Sequence, residues 1–243
     1  MRIVASAIAA LFLSAVGLLA TDLTLTQTTT SQSHEVEQTQ LWSSRFMRIN
    51  QPEGHIDLLV DFAQEVSYTI DHEKKVIQKF TWDDLELATE AFGKKLRGLP
   101  PLVQQVMGIN NSTATVEDRG SEPLLGHECR RWRITLGPMM IETSNDPSIS
   151  LPVPALSYQR FLKLQTLIGQ LPPDPALALR VGEALAKIQG LALKYRIVLP
   201  VVGQTTTITT GIEEGPIPPS AFELPTDYQV EDAGKKMLES MGQ

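Results

Sequence analysis

Residues 56–82 contain three short runs: Ile56-Asp57-Leu58-Leu59-Val60-Asp61-Phe62, Val66-Ser67-Tyr68-Thr69-Ile70-Asp71 and Val76-Ile77-Gln78-Lys79-Phe80-Thr81-Trp82, with the polar tip His72-Glu73-Lys74-Lys75 between the last two. Runs of six or seven residues rich in β-branched and aromatic side chains, divided by short polar tips, read as hairpin-linked strands. Upstream, Leu23 and Leu25 alternate with Thr24 and Thr26, and Val36, Thr39, Leu41 and Trp42 form a second β-prone run. Arg45-Phe46-Met47-Arg48-Ile49 alternates charged and apolar residues, the period of a strand with one face on a core, and Gln51-Pro52-Glu53-Gly54 marks a turn. About six closely spaced strands therefore form an antiparallel meander.

Composition changes at Asp83. Asp83 or Asp84 can cap a helix carrying Leu85, Leu87, Ala88, Ala91, Phe92 and Leu96, ended by Gly98-Leu99-Pro100-Pro101. A short helix is expected at Leu102–Met107, followed by strands at Ser112–Arg119, Cys129–Leu136 and Met139–Thr143. A second helical region spans Ser157–Ile188 and breaks at Pro172-Pro173-Asp174-Pro175. Its first half groups Phe161, Leu164, Leu167 and Ile168; its second places Leu177, Val181, Leu185 and Ile188 on one face. Strands at Leu191–Leu199 and Gln204–Ile212, the crossing Gly215-Pro216-Ile217-Pro218-Pro219 and a polar helix from about Glu231 close the chain. The fold class is α+β: one antiparallel sheet whose apolar face can be covered only by the amphipathic helices.

Met1-Arg2 precedes an uncharged run from Ile3 to Ala20 that ends in Gly17-Leu18-Leu19-Ala20, the pattern of a secretory signal peptide cleaved near Ala20. Residues 21–243 are then a single domain, periplasmic or secreted, and loss of Arg2 takes the formal charge from -7 to -8. An uncleaved anchor is the alternative, since 18 uncharged residues reach the lower limit for spanning a bilayer. The 243 residues are 42% hydrophobic and 20% charged, which suits one globular domain or two small ones and excludes a disordered chain. A pI near 5.2 argues against nucleic acid as a partner. One cysteine, Cys129, excludes an internal disulfide framework and a multi-cysteine metal site.

No catalytic constellation emerges. Cys129 lies in Gly126-His127-Glu128-Cys129-Arg130-Arg131-Trp132, but on a strand Arg130 points away from it, so a packed core thiol is expected. His34, His55, His72 and His127 are scattered and read as solvent-facing, with no metal-ligand spacing. Asp83, Asp84, Glu86 and Glu90 suit a helix start. Lys94, Lys95 and Arg97, with Arg130, Arg131 and Arg133, read as solvated faces, and Asn110-Asn111-Ser112-Thr113 holds two overlapping glycosylation sequons. The expectation is a non-enzymatic protein without cofactor or metal.

The stretch Gly126–Ile134, the strand Leu193-Lys194-Tyr195 before Thr205–Thr210, and the closing Pro219-Ser220-Ala221-Phe222-Glu223-Leu224-Pro225-Thr226-Asp227-Tyr228 resemble an exported bacterial family of unknown function. That family is similar in fold to the lipoprotein carrier LolA and its receptor LolB. The resemblance implies a curved antiparallel sheet, a half-open β-barrel, with helices covering its concave face and a cavity between the two. It also implies a lipid, lipoprotein acyl chain or other hydrophobic ligand, a monomeric state, and a lid hinged at Pro100-Pro101 and Pro172-Pro173. The helical segment Leu156–Ile188 does not align residue by residue with the carriers. Candidate lining residues are therefore the apolar helix positions Phe92, Leu96, Phe161, Leu164, Leu167, Leu177, Val181 and Leu185. The alternative function is an envelope protein-interaction or sensor module whose cavity is filled by side chains.

Overall fold

Polar hairpin tips and period-2 alternation become strands along most of the chain. The computed structural model describes residues 21–31, 34–51, 55–98, 100, 113–137, 139–168, 175–199 and 203–242. Six strands, β1 (Leu23–Ser31), β2 (His34–Trp42), β3 (Phe46–Asn50), β4 (Ile56–Asp61), β5 (Val66–Asp71) and β6 (Val76–Thr81), pair antiparallel in succession. Helix α1 (Trp82–Arg97) follows, then β7 (Thr115–Leu124), β8 (His127–Leu136) and β9 (Met139–Asp146). Helices α2 (Ala155–Ile168) and α3 (Pro175–Leu185) precede β10 (Leu191–Leu199), β11 (Gly203–Glu214), β12 (Gln229–Asp232) and α4 (Ala233–Gly242). All twelve strands join one curved, unclosed sheet in the order β12-β6-β5-β4-β3-β2-β1-β11-β10-β9-β8-β7, with helices on its concave face.

The two central hairpins turn by the same device. Asp61 Oδ1 accepts the backbone N–H groups of Ala63 (3.0 Å) and Gln64 (3.1 Å), and Asp71 Oδ1 accepts that of Lys74 (2.8 Å). Each turn closes with a residue at positive φ, Glu65 (53°) or Lys75 (54°), so the aspartate supplies the hydrogen bonds that hold the strained corner.

The start of α1 differs from expectation. Thr81, the last residue of β6, caps the helix: its hydroxyl accepts the Asp84 N–H (3.2 Å) and donates to Asp84 Oδ2 (2.5 Å). That reciprocal pair places the cap two residues before Asp83 and three before Asp84, and makes Trp82 the first helical residue, fully buried. The C-terminal helix likewise begins later than about Glu231. Gln229–Asp232 instead pairs parallel with the free edge of β6, and Asp232 Oδ1 then accepts the Lys235 N–H (3.0 Å) at the start of α4. The expected signal peptide (1–20), the short helix 102–107, Pro101, Pro172-Pro173 and the sequon asparagines Asn110 and Asn111 lie outside the described residues.

Three clusters hold the layers together. Leu23, Trp42, Met47, Val60, Phe62 and Phe80 of the sheet and its turns meet Trp82 and Leu85 of α1 and Phe161 and Leu164 of α2. Ile134, Leu136, Ile141 and Ile197 meet Val181 and Ala184 of α3. On the opposite sheet face, Leu59, Ile70 and Ile77 are covered by Phe222 in the C-terminal crossing. Arg48 fastens that crossing by donating to the carbonyls of Ala221 (3.1 Å) and Glu223 (3.2 Å), while Asp57 (2.7 Å) balances its charge. Helices α2 and α3 approach so closely that a Cβ on Gly182 would lie 2.5 Å from the Lys163 carbonyl oxygen.

Candidate ligand cavity

Antiparallel register aligns side chains into rows that cross the concave face. Leu23, Trp42, Met47, Val60, Ser67 and Phe80 are successive cross-strand partners from β1 to β6, and each is at most 7% exposed. The only hydroxyl in this row, Ser67 Oγ, accepts the indole N–H of Trp82 (3.0 Å). One pleat along, the row becomes Leu25, Gln40, Ile49, Leu58 and Thr69; one further, Gln27 pairs with Gln38 and with Thr209 of β11. A last row runs Thr29, Thr207, Tyr195 and Thr143. The face thus grades from apolar and packed to polar.

Over the polar end the helices do not fill the space. A cavity of about 680 Å³ lies between the sheet and the end of the helical layer, within the range of small-molecule sites, roughly 300–1,000 Å³. Its apolar wall is Trp42, Met47, Ile49 and Leu58 from the sheet and Phe161, Leu162, Leu185 and Ile188 from the helical side. Its polar wall is Gln27, Gln38, Gln40, Gln51, Thr69, Thr143, Asn145, Tyr195 and Thr207, with Gln165 of α2 opposite and Asp57 also contributing.

The glutamines are ordered by their neighbours. Gln27 Oε1 accepts Nε2–H groups from both Gln38 and Gln40 (2.7 Å each). Gln40 Oε1 accepts the Trp42 indole N–H (3.3 Å), Gln38 Oε1 accepts from Gln51 (3.1 Å), and Gln27 Nε2 donates to Thr209 (3.1 Å). Each carboxamide carries two N–H donors, so this pattern leaves one N–H on each of these cavity-lining glutamines without a side-chain acceptor. The hydroxyls of Tyr158 and Tyr195 and the amide of Gln165 make no side-chain hydrogen bond among the described residues. Burial pushes Tyr158 up to about 12 and Tyr195 higher still, so both remain protonated donors at neutral pH.

Among the sequence-derived candidates, Phe161 and Leu185 lie on the cavity wall, whereas Leu164 and Val181 are buried in the packing of α2 and α3 against the sheet. The side chains of Phe92, Leu96, Leu167 and Leu177 lie outside the described ones. Sequence reading looked to the helices and missed the glutamine network on the sheet. A signal was present: Gln27 continues the parity of Leu23 and Leu25, and Gln38 and Gln40 that of Trp42, so these polar residues extend a core face.

The groups with chemical potential elsewhere are committed to structure. Cys129 is fully buried, and desolvation, reinforced by Asp146, Glu122 and Glu128, pushes its thiol up to about 11. Two histidines depart from the solvent-facing expectation: His127 Nδ1 lies 2.6 Å from Asp146, and His72 bridges Asp57 (3.1 Å) and the Tyr228 hydroxyl (3.0 Å). Arg130 pairs with Asp118 and Arg133 with Glu142 (2.6 Å), while Lys94 and Lys95 are exposed. Among the described residues no group of three His, Cys, Asp or Glu side chains could hold a metal ion, and no helix is long and apolar enough to cross a membrane.

No protein-family model matches the chain, and no curated protein does. Solved structures with a similar chain path include PNGF-II (10% identity, 91% of this chain, 33% of that chain, TM-score 0.47). The MucA/MucB complex of Pseudomonas aeruginosa is similar at 9% identity over 88% of this chain and 59% of that one, TM-score 0.43. A LolA superfamily protein from Nitrosomonas europaea is similar at 5% identity over 84% and 90%, TM-score 0.30. The chain spans about a third of the length of PNGF-II. These are distant likenesses of fold.

Proposed function

We propose that the chain is an exported, non-enzymatic binding protein. Residues 1–20 are a signal peptide removed after Ala20, and residues 21–243 form one domain that holds a lipid, a lipoprotein acyl chain or another hydrophobic ligand. The observation that carries this reading is the cavity of about 680 Å³ walled by Trp42, Met47, Ile49, Leu58, Phe161 and Leu185. An acyl chain placed there exchanges water for apolar walls, at about 0.8 kcal/mol per buried methylene. Its open volume favours ligand binding over the alternative of an interaction module filled by its own side chains.

Native mass spectrometry of protein purified from its source, combined with tryptophan-fluorescence titration by acyl amphiphiles, tests the reading. A co-purifying mass, or a saturable change attributable to Trp42, is expected. A clean unliganded mass together with no response to any acyl amphiphile overturns it. Intact mass also tests the export step, since cleavage leaves a chain that begins at Thr21.

A further inference from the structure

We infer that the occupant of the cavity is an amphiphile with an uncharged, hydrogen-bonding head, such as an acyl ester or acyl amide, and that the polar end of the concave face selects the head. This rests on the ligand-binding reading above and specifies its chemistry.

The first observation is charge. Among the described lining residues there is no Lys, Arg or His, and the single carboxylate, Asp57, is 2.7 Å from the Arg48 guanidinium and 3.1 Å from His72. A carboxylate or phosphate head entering this space would lose its hydration without meeting a counter-charge, and an ammonium head would find the one acid already paired.

The second observation is unmet hydrogen-bonding capacity. A cavity meant only for hydrocarbon has no use for four glutamines on its wall, yet here they are fixed in one orientation by Trp42 and Thr209. The Tyr195 hydroxyl and the Gln165 amide face the same space with no side-chain partner among the described residues. Among the described residues the one buried side-chain polar atom without a partner is Arg196 Nε, so these groups are open to the cavity, where an occupant can meet them in place of water. Donors left over on one wall call for acceptor oxygens in the occupant, and the free Oε1 of Gln165 and of Gln51 can accept from a hydroxyl or amide N–H.

The third is layout. The apolar wall, Trp42, Met47, Phe161 and Leu162, adjoins the polar wall without a break, so one molecule can lay its tail on the first and its head on the second.

The test compares probes of one chain length below their aggregation thresholds, titrated into the folded mature protein at pH 8: a monoacylglycerol, the corresponding fatty acid, the alkyltrimethylammonium and the alkane. The monoacylglycerol should bind at least tenfold tighter than either charged probe. In the double variant Tyr195→Phe with Gln38→Leu, that advantage should shrink below threefold while alkane affinity stays the same. Circular dichroism of the variant confirms folding, and the wild-type ranking stands as a test by itself. Equal or tighter binding of the fatty acid or the ammonium, or an advantage unchanged in the double variant, overturns the head-group inference and leaves the ligand-binding reading intact. If none of the four binds, both fall.

Discussion

The two ends of the concave face use the same strands and opposite chemistry. At the α1 end, Leu23, Trp42, Met47, Val60 and Phe80 form a row closed by Trp82, Leu85 and Phe161, and its one hydroxyl is taken by an indole N–H. Two pleats away, Gln27, Gln38 and Thr209 stand at equivalent strand positions, Gln27 bonded to both of the others, and Gln27 and Gln38 line the cavity. One sheet thus divides stability from binding along the strand direction. The closed end gains from dense packing, whereas the open end keeps polar groups available at little cost because they satisfy one another.

The hardest test of that division is Trp82→Ala. Trp82 is fully buried, meets Phe62 edge-on with ring centroids 5.9 Å apart, and carries Arg160 over its ring (5.7 Å). Arg160 in turn reaches Glu65, Asp83 and Glu86, so removing the indole loosens both α1 and α2. A loss of about 3–5 kcal/mol in urea unfolding is expected. A loss below about 1 kcal/mol would mean that the closed end does not carry the stability assigned to it.

Gly182→Ala should come next. An added Cβ meets the Lys163 carbonyl oxygen at 2.5 Å and its Cα at 2.7 Å, both backbone atoms that cannot swing aside. Helices α2 and α3 must part, at about 1–3 kcal/mol, measured by thermal or denaturant unfolding. Leu162 and Gln165 of α2 also line the cavity, so this variant couples the two regions and should weaken ligand binding as well as stability. Unchanged binding would show that the cavity is independent of α2 spacing.

How much of this was legible depends on whether side chains or backbone hold each element. The meander could be read because its strands alternate and are divided by short polar tips, two of them opened by Asp61 and Asp71, and the helix-covered sheet followed from the amphipathic positions around Phe161 and Val181. Strand β12 could not. None of its side chains is buried, so Gln229–Asp232 carries no core-facing pattern and owes its conformation to ladder bonds with β6. The α1 cap was misplaced for a similar reason: Thr81 ends a strand and begins a helix, and two acids beside it offered the stronger compositional signal. At the cavity, polar residues on a strand read as outward-facing. Parity along each strand puts Gln27 on the face of Leu23 and Gln38 on that of Trp42, and the register shows that these faces line one cavity.

Acid sharpens the comparison at the closed end. Burial works against ionisation of Asp61, but the Arg45 guanidinium and the amides of Gln64 and Ala63 outweigh it and hold the carboxyl below its ordinary range. At the far end of β9, burial likewise opposes Asp146, and Ser148 and His127 prevail. A carboxyl depressed in the folded state stabilises the fold above its unfolded pKa, near 4, and that contribution is lost as pH falls through the folded value. The unfolding midpoint should therefore be flat from about pH 5 to 8 and fall below about 4. Asp61→Asn should lower the plateau and make the acid fall shallower. An acid fall of unchanged steepness in that variant would remove Asp61 from the account.

The smallest effect is the most diagnostic. Gln38→Leu removes one of two donors to Gln27 Oε1, which keeps its bond from Gln40, and frees Gln51 Nε2 toward the cavity, where solvent or ligand can accept it. No buried group is left without a partner, and leucine fits the volume, so stability should change by no more than about 0.5 kcal/mol. Met47→Gln, the converse exchange in the packed row where it meets the apolar wall of the cavity, puts a carboxamide where the residue is 2% exposed and should cost several times more. If Gln38→Leu were instead as damaging as Met47→Gln, the glutamine row would be part of the packed core, and the cavity would lose its standing as the place where the fold tolerates polarity.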